Sequence, residues 1–184
     1  MSDTTPTAPS ILSHDELVGV AWRLMNTFYY SPGRLATFQP HTCVNHESPD
    51  VMAFECRPEE TWQSVLFECK ASRADFLADR KKPFRIDPTQ GMGNVRIYVT
   101  NQGVVKDMSE IPQGWRWYEV VDQDNVIYRS CGTPAVCAEF PNRNFAAELN
   151  LFKYIYFWTK IKNYPCKAPR SAEGRDTYIN TILP

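Results

Sequence analysis

Two charged residues close an otherwise apolar run, Ser64-Val65-Leu66-Phe67-Glu68-Cys69-Lys70. In a strand alternate residues share a face, so Glu68 and Lys70 emerge together while Phe67 and Cys69 point the other way, where a core is expected. Eighteen residues before Glu68, Pro49-Asp50 opens another apolar run, and a hairpin through residues 55–62 brings Asp50 beside Glu68. Two carboxylates held close on a rigid sheet are costly unless a cation sits between them. Oxygen ligands with a lysine nearby suit Mg²⁺ or Mn²⁺ better than zinc. The chemistry such a trio fits is phosphodiester hydrolysis. The metal neutralises charge on the phosphate and acidifies a bound water, while Lys70 orients that water or stabilises the pentavalent state. The tripeptide alone is a weak signal: Asp79-Arg80-Lys81 has the same form, and this composition supplies about one such match by chance. The context carries it, namely a strand ending in Glu-x-Lys, a Pro-Asp opening the strand before, and a capped basic helix directly after.

The elements that must position these groups follow from periodicity and caps. Ser13 and Glu16 form a capping box, and Leu17, Val20, Ala21, Leu24 and Phe28 recur at helical spacing, which predicts a helix over about 13–30 that Ser31-Pro32-Gly33 ends. Residues 36–44, 50–56 and 64–70 read as a β-meander. Ser72 with Asp75 caps a helix expected to run to about Lys82, where Pro83 stops it. Strands are predicted at 95–100, 115–121 and 126–130, the last two as a hairpin. Pro141-Asn142 leads into a long helix ending near Asn163. Two apolar stripes mark that helix, Phe145, Leu149, Phe152 and Tyr156 on one side and Leu151, Ile155, Trp158 and Ile161 on another, which predicts burial on two sides or a homodimer through residues 143–163.

With 184 residues, 43% of them hydrophobic, the chain fits one α/β domain over 11–184 behind a Ser/Thr/Pro-rich tail at 1–10 that is expected to be disordered. No apolar run is long enough to span a membrane and no signal-peptide pattern opens the chain, so the expected compartment is the cytoplasm. Six scattered cysteines (43, 56, 69, 131, 137 and 166) without a CxxC pair argue for reduced core thiols rather than a disulfide framework. A formal charge of −1 hides a segregation. Residues 70–96 hold seven basic against three acidic side chains, and residues 143–170 six against one, which leaves −10 for the rest. Basic zones on an acidic body are compatible with a phosphate-backbone partner, because attraction follows the local field.

Pro49-Asp50, Phe67-Glu68-Cys69-Lys70 and the stretch Ala71-Ser72-Arg73-Ala74-Asp75-Phe76-Leu77-Ala78-Asp79-Arg80-Lys81-Lys82-Pro83 together resemble the PD-(D/E)xK nuclease superfamily. Within it the likeness is to the MmcB-like DNA-repair endonucleases, whose E-x-K strand runs into a similar S-R-A-D-F helix. Arg96-Ile97-Tyr98-Val99-Thr100, Gly103-Val104-Val105 and Ile111-Pro112-Gln113-Gly114-Trp115 extend the likeness, which covers about residues 47–121. The resemblance implies a restriction-endonuclease-like core, α-β-β-β-α-β, with a mixed central sheet flanked by helices. It further implies a Mg²⁺-dependent endonuclease acting on nucleic acid, DNA rather than RNA. Asp50, Glu68 and Lys70 match the catalytic motif, with Asp50, Glu68 and the backbone carbonyl of Cys69 as metal ligands. Cys69 stands where the family commonly has an apolar residue.

Other residues are weighed beside the trio. Glu16 is a candidate accessory ligand from the first helix, although its capping role already accounts for it. Glu47, just before Pro49-Asp50, is another, although a turn carboxylate is usually solvated. Arg73 can touch a phosphate, as can Arg80, Lys81 and Lys82 on the basic helix, while Asp75 serves as part of its cap. His41, Cys43, His46 and Cys56 are spaced too loosely for a strong zinc signal. Trp115, Trp117, Tyr118 and the aromatics of residues 154–158 could stack bases but read more naturally as core. Two rival readings are a nuclease-fold protein that binds nucleic acid or a protein partner without catalysis, and a zinc-stabilised interaction module.

Overall fold

The computed structural model describes residues 11–28, 35–38, 47–55, 63–129 and 140–157. The expected tail at 1–10, the zinc candidates His41, Cys43, His46 and Cys56, and the C-terminal part of the last helix lie outside these residues.

The first helix, α1 (His14–Phe28), begins as its capping box requires: the Ser13 N–H donates to Glu16 Oε2 at 2.8 Å and the Glu16 N–H to Ser13 Oγ at 3.4 Å. Strands β1 (Leu35–Phe38), β2 (Val51–Glu55) and β3 (Gln63–Lys70) form an antiparallel meander. The chain then crosses over through α2 (Arg73–Asp79) and α3 (Pro83–Ile86) to β4 (Val95–Asn101), which lies parallel to β3. β5 (Arg116–Val120) pairs parallel with β4, and β6 (Val126–Tyr128) returns antiparallel on β5, so the mixed sheet keeps sequence order from β1 to β6. Finally α4 (Phe145–Tyr156) packs back on the sheet.

Strand alternation divides the core into two layers. Val51, Ala53, Phe67, Cys69, Ile97, Val99, Tyr118 and Val120 face α1 and meet Leu17, Val20, Ala21 and Leu24. Met52, Phe54, Leu66, Tyr98 and Trp117 face the other way and meet Phe76 of α2 and Ala147, Leu151 and Ile155 of α4. Glu68 and Lys70 belong to this second face by the same parity. They therefore leave the sheet not toward solvent but into a covered layer, where both are buried. Among the described residues no helix is long and apolar enough to cross a membrane.

Two expectations are corrected. Pro83 does not simply end a helix reaching Lys82: α2 stops at Asp79 and Pro83 starts α3, because a ring with φ preset near the helical value and no N–H suits the first helical position. The described part of α4 is buried on one side rather than all round. Ala147, Glu148, Leu151 and Ile155 pack inward while Phe145 and Tyr156 stay exposed.

The turn into β4 is fixed by Gly93, whose φ is +88° and whose absent side chain lets Leu66 approach: a Cβ there would sit 2.8 Å from Leu66 Cβ. Gly93→Ala is therefore expected to lower stability by at least about 1–2 kcal/mol from backbone strain alone. Chemical denaturation of the variant beside the wild type measures it.

Candidate active site

The C-terminal ends of β3 and β4 and the start of the antiparallel β2 lie at one edge of the sheet, where open α/β sheets commonly place their ligands. The register pairs Val51 with Phe67, so Asp50 stands opposite Glu68 at the mouth of the hairpin. The Asp50 N–H donates to the Phe67 carbonyl at 3.2 Å, and the Cys69 N–H donates to Asp50 Oδ2 at 2.7 Å. Because a residue's N–H and C=O leave an extended strand on the same side, the Cys69 carbonyl shares that edge with Asp50. The thiol of Cys69 points into the α1 layer, and burial pushes its pKa well above the usual thiol range, so the residue can offer a metal its carbonyl but not a thiolate.

Glu68 Oε2 accepts from Lys70 Nζ at 2.9 Å, as the Glu-x-Lys spacing predicts. The other Glu68 oxygen meets a residue the sequence did not single out, Arg85 of α3, whose Nη2 lies 2.7 Å from Glu68 Oε1. Arg85 also reaches Asp79 Oδ2 through Nε at 2.8 Å and Glu47 Oε1 through Nη1 at 2.7 Å. Asp79 completes the cluster: Lys70 Nζ is 3.4 Å and Lys82 Nζ 2.7 Å from its Oδ1, and the Tyr98 hydroxyl donates to Oδ2 at 2.7 Å. The expectation of a solvated Glu47 is corrected. It is 1% exposed, held by Arg85 and by the Met92 N–H at 2.7 Å. At the outer edge His14 Nε2 of α1 lies 3.1 Å from Asp50 Oδ1. This makes His14, not Glu16, the α1 side chain nearest the trio, since Glu16 is spent on the cap and on Gln123.

The electrostatics follow from burial. Desolvation raises the pKa of Glu68, opposed by Lys70 and Arg85. Burial alone would lower the pKa of Lys70, but Glu68, Asp79 and Asp50 outweigh it and hold the ammonium above the ordinary lysine range. Lys70 is thus held as a donor and a positive charge beside Glu68 and Asp79, placed to hold a water or a phosphate oxygen. Burial likewise opposes ionisation of Asp79, and Arg85, Lys70 and Lys82 overcome it, so that Asp79 sits below the usual carboxylate range.

Asp50, Glu68 and the Cys69 carbonyl offer hard oxygens. Among the described residues no group of three or more His, Cys, Asp or Glu side chains is arranged to hold a metal ion. Mg²⁺ does not require that, since it keeps several waters and commonly uses one or two carboxylates. Each Glu68 oxygen retains a lone pair beside its cationic partner, and the Asp50 side chain is 15% exposed. By its chemistry, a set of hard oxygens, this donor set suits a divalent cation such as Mg²⁺ rather than a soft metal.

Of the residues expected to meet nucleic acid, Arg80, Lys81 and Lys82 are exposed along the α2–α3 turn. Arg73 instead grips Glu110 in a bidentate pair, at 2.6 and 2.5 Å, and the Val104 carbonyl at 3.0 Å. The basic zone at 70–96 is also smaller on the surface than in the sequence, because Lys70, Arg85 and Arg96 are buried. Arg96 ties the turn before β4 through the carbonyls of Pro88, Gly91 and Gly93, and burial pushes its pKa down to about 10. Trp115 and Trp117 are core residues, Trp115 stacked on Tyr98 with ring centroids 4.4 Å apart. The chain matches no protein-family model, no curated protein and no solved structure.

Proposed function

We propose that this chain is a metal-dependent nuclease of the PD-(D/E)xK type with a restriction-endonuclease-like core, cutting DNA rather than RNA. The observation that carries the reading is the placement of Asp50 opposite Glu68, with Lys70 2.9 Å from Glu68, at the edge of an α-β-β-β-α-β arrangement in which β3 and β4 are parallel. Asp50, Glu68 and the Cys69 carbonyl hold Mg²⁺ or Mn²⁺, and the bound ion supplies charge neutralisation at the phosphate and a water of lowered pKa. Lys70 contributes an ammonium donor to that water or to a non-bridging phosphate oxygen, and Asp79, 3.4 Å from it, keeps it from turning away. Arg80, Lys81 and Lys82 attract the flanking phosphates. If two copies associate through α4, Phe145 and Tyr156 supply the contact.

A second reading is a nuclease-fold binder without catalysis. One observation favours it: both Glu68 oxygens already face cations, Arg85 and Lys70, so the network is satisfied in part without a metal.

Cleavage of labelled single-stranded, double-stranded and flapped DNA with Mg²⁺ or Mn²⁺, against an EDTA control, separates the two. The nuclease reading expects metal-dependent fragments from at least one form. Binding to all three without any cleavage would replace it by the binder reading.

A further inference from the structure

The buried ionic cluster has an unusual centre. Three carboxylates, Glu47, Glu68 and Asp79, pair with two cations that the sheet and α3 hold inside, Lys70 and Arg85. Arg85 is the only one of the two that touches three of them, one with each nitrogen of its guanidinium, at 2.7 to 2.8 Å. Its side chain is 1% exposed and its guanidinium carbon lies 4.6 Å from the centre of the Trp115 ring and 4.7 Å from that of Phe84. So enclosed, it cannot reach a phosphate of a bound nucleic acid. What it can do is hold Glu68 Oε1 and neutralise the carboxylates behind it.

Sites that use two metal ions hold them about 3.5–4 Å apart, so neighbouring carboxylates are shared between the two ions. Here the inner oxygen of Glu68 and its neighbours Glu47 and Asp79 already share a fixed cation of the chain itself. We infer that Arg85 takes the place of a second divalent cation, making this a one-metal site in which Glu68 offers only its outer side to the ion. The inference rests on the metal-binding reading proposed above and adds Arg85 to it as a positioning residue. Its planar fork suits the task, since it donates to Asp79 and Glu47 and sets its remaining nitrogen 2.7 Å from Glu68 as an ion pair, where a single ammonium would not span all three.

The test is Mn²⁺ binding to the full chain, followed by electron paramagnetic resonance of the free ion, with thermal melting in parallel. The expected result is one Mn²⁺ per chain in the wild type and in Arg85→Lys, which keeps a cation inside. Arg85→Gln, which removes the charge, is expected to bind two and to gain more thermal stability from Mn²⁺ than the wild type does. A merely structural arginine would lower the melting temperature without changing the stoichiometry. Two ions in the wild type or in Arg85→Lys, or no more ions in Arg85→Gln than in the wild type, would overturn the inference. No ion in the wild type but one in Arg85→Gln would support the role of Arg85 while removing the metal from the proposed function. Should Arg85→Gln be unfolded without metal, Mn²⁺ is expected to refold it where KCl at equal ionic strength does not; failure of Mn²⁺ to do so would also count against the inference.

Discussion

Asp79→Ala is expected to be among the most destabilising single substitutions in this protein, costing about 3–5 kcal/mol, because it takes from two buried cations one of the carboxylates that balance them. For a chain of this length that lowers the melting temperature by roughly 6–20 °C. The reason lies in how many partners share this carboxylate. Lys70, Lys82 and Arg85 all contact it, and it accepts the Tyr98 hydroxyl. Removing it strands Lys70 with Glu68 alone and leaves a buried phenol without its acceptor. Asp79→Asn, which keeps the shape, separates the loss of charge from the loss of volume. The pH dependence has a definite sign. The native pKa of Asp79 lies below its unfolded value, so its stabilising contribution is fully present above about pH 4 and is lost as the pH falls through the native value. Glu68 is shifted the other way, so it protonates first in the native state and offsets part of that loss. Melting curves between pH 3 and 7 are expected to fall more steeply on the acid side for the wild type than for Asp79→Asn.

Lys70→Ala is expected to reduce cleavage by at least about 10²-fold while changing DNA affinity little, since the loss falls on charge that develops in the transition state. Lys70 is buried and its ammonium points at Glu68 and Asp79, so it adds little to long-range attraction of the nucleic acid. Arg80→Ala with Lys81→Ala is the converse. Those exposed side chains are expected to weaken binding and its salt dependence and to leave the single-turnover rate of bound substrate nearly unchanged. Single-turnover cleavage and equilibrium binding, measured on the same preparations with circular dichroism as the folding control, distinguish the two patterns. A Lys70→Ala protein that cuts at the wild-type rate would remove Lys70 from the chemistry.

The trio was legible because it depends on local rules. Strand alternation alone puts Glu68 and Lys70 on one face, and a hairpin of ordinary length brings Asp50 opposite. The capping serines at 13 and 72 were equally plain, each followed three residues on by the acid whose backbone N–H meets the serine hydroxyl. What surrounds the trio was not legible. Arg85 meets Glu47 across 38 positions of sequence and Met92 meets it across 45, and no periodicity joins them. Asp79 was visible only as part of a chance-looking Asp-x-Lys on a helix. Its meaning comes from the crossover, which lays the end of α2 over the Lys70 end of β3. Pro83 carried a signal that cut both ways, since a proline that ends one helix also suits the first position of the next. The basic surplus misled in part, because composition does not tell an arginine that faces solvent from one, such as Arg96, that holds three backbone carbonyls inside.

The most direct measurement is cleavage of labelled DNA by the purified wild type in Mg²⁺, run beside Glu68→Ala shown to be folded. The account expects the wild type to produce fragments that EDTA abolishes, and the variant to produce none. Equal cleavage by both proteins, or cleavage by the wild type that persists in EDTA, would contradict the assignment of Asp50, Glu68 and Lys70 as a metal-dependent nuclease site.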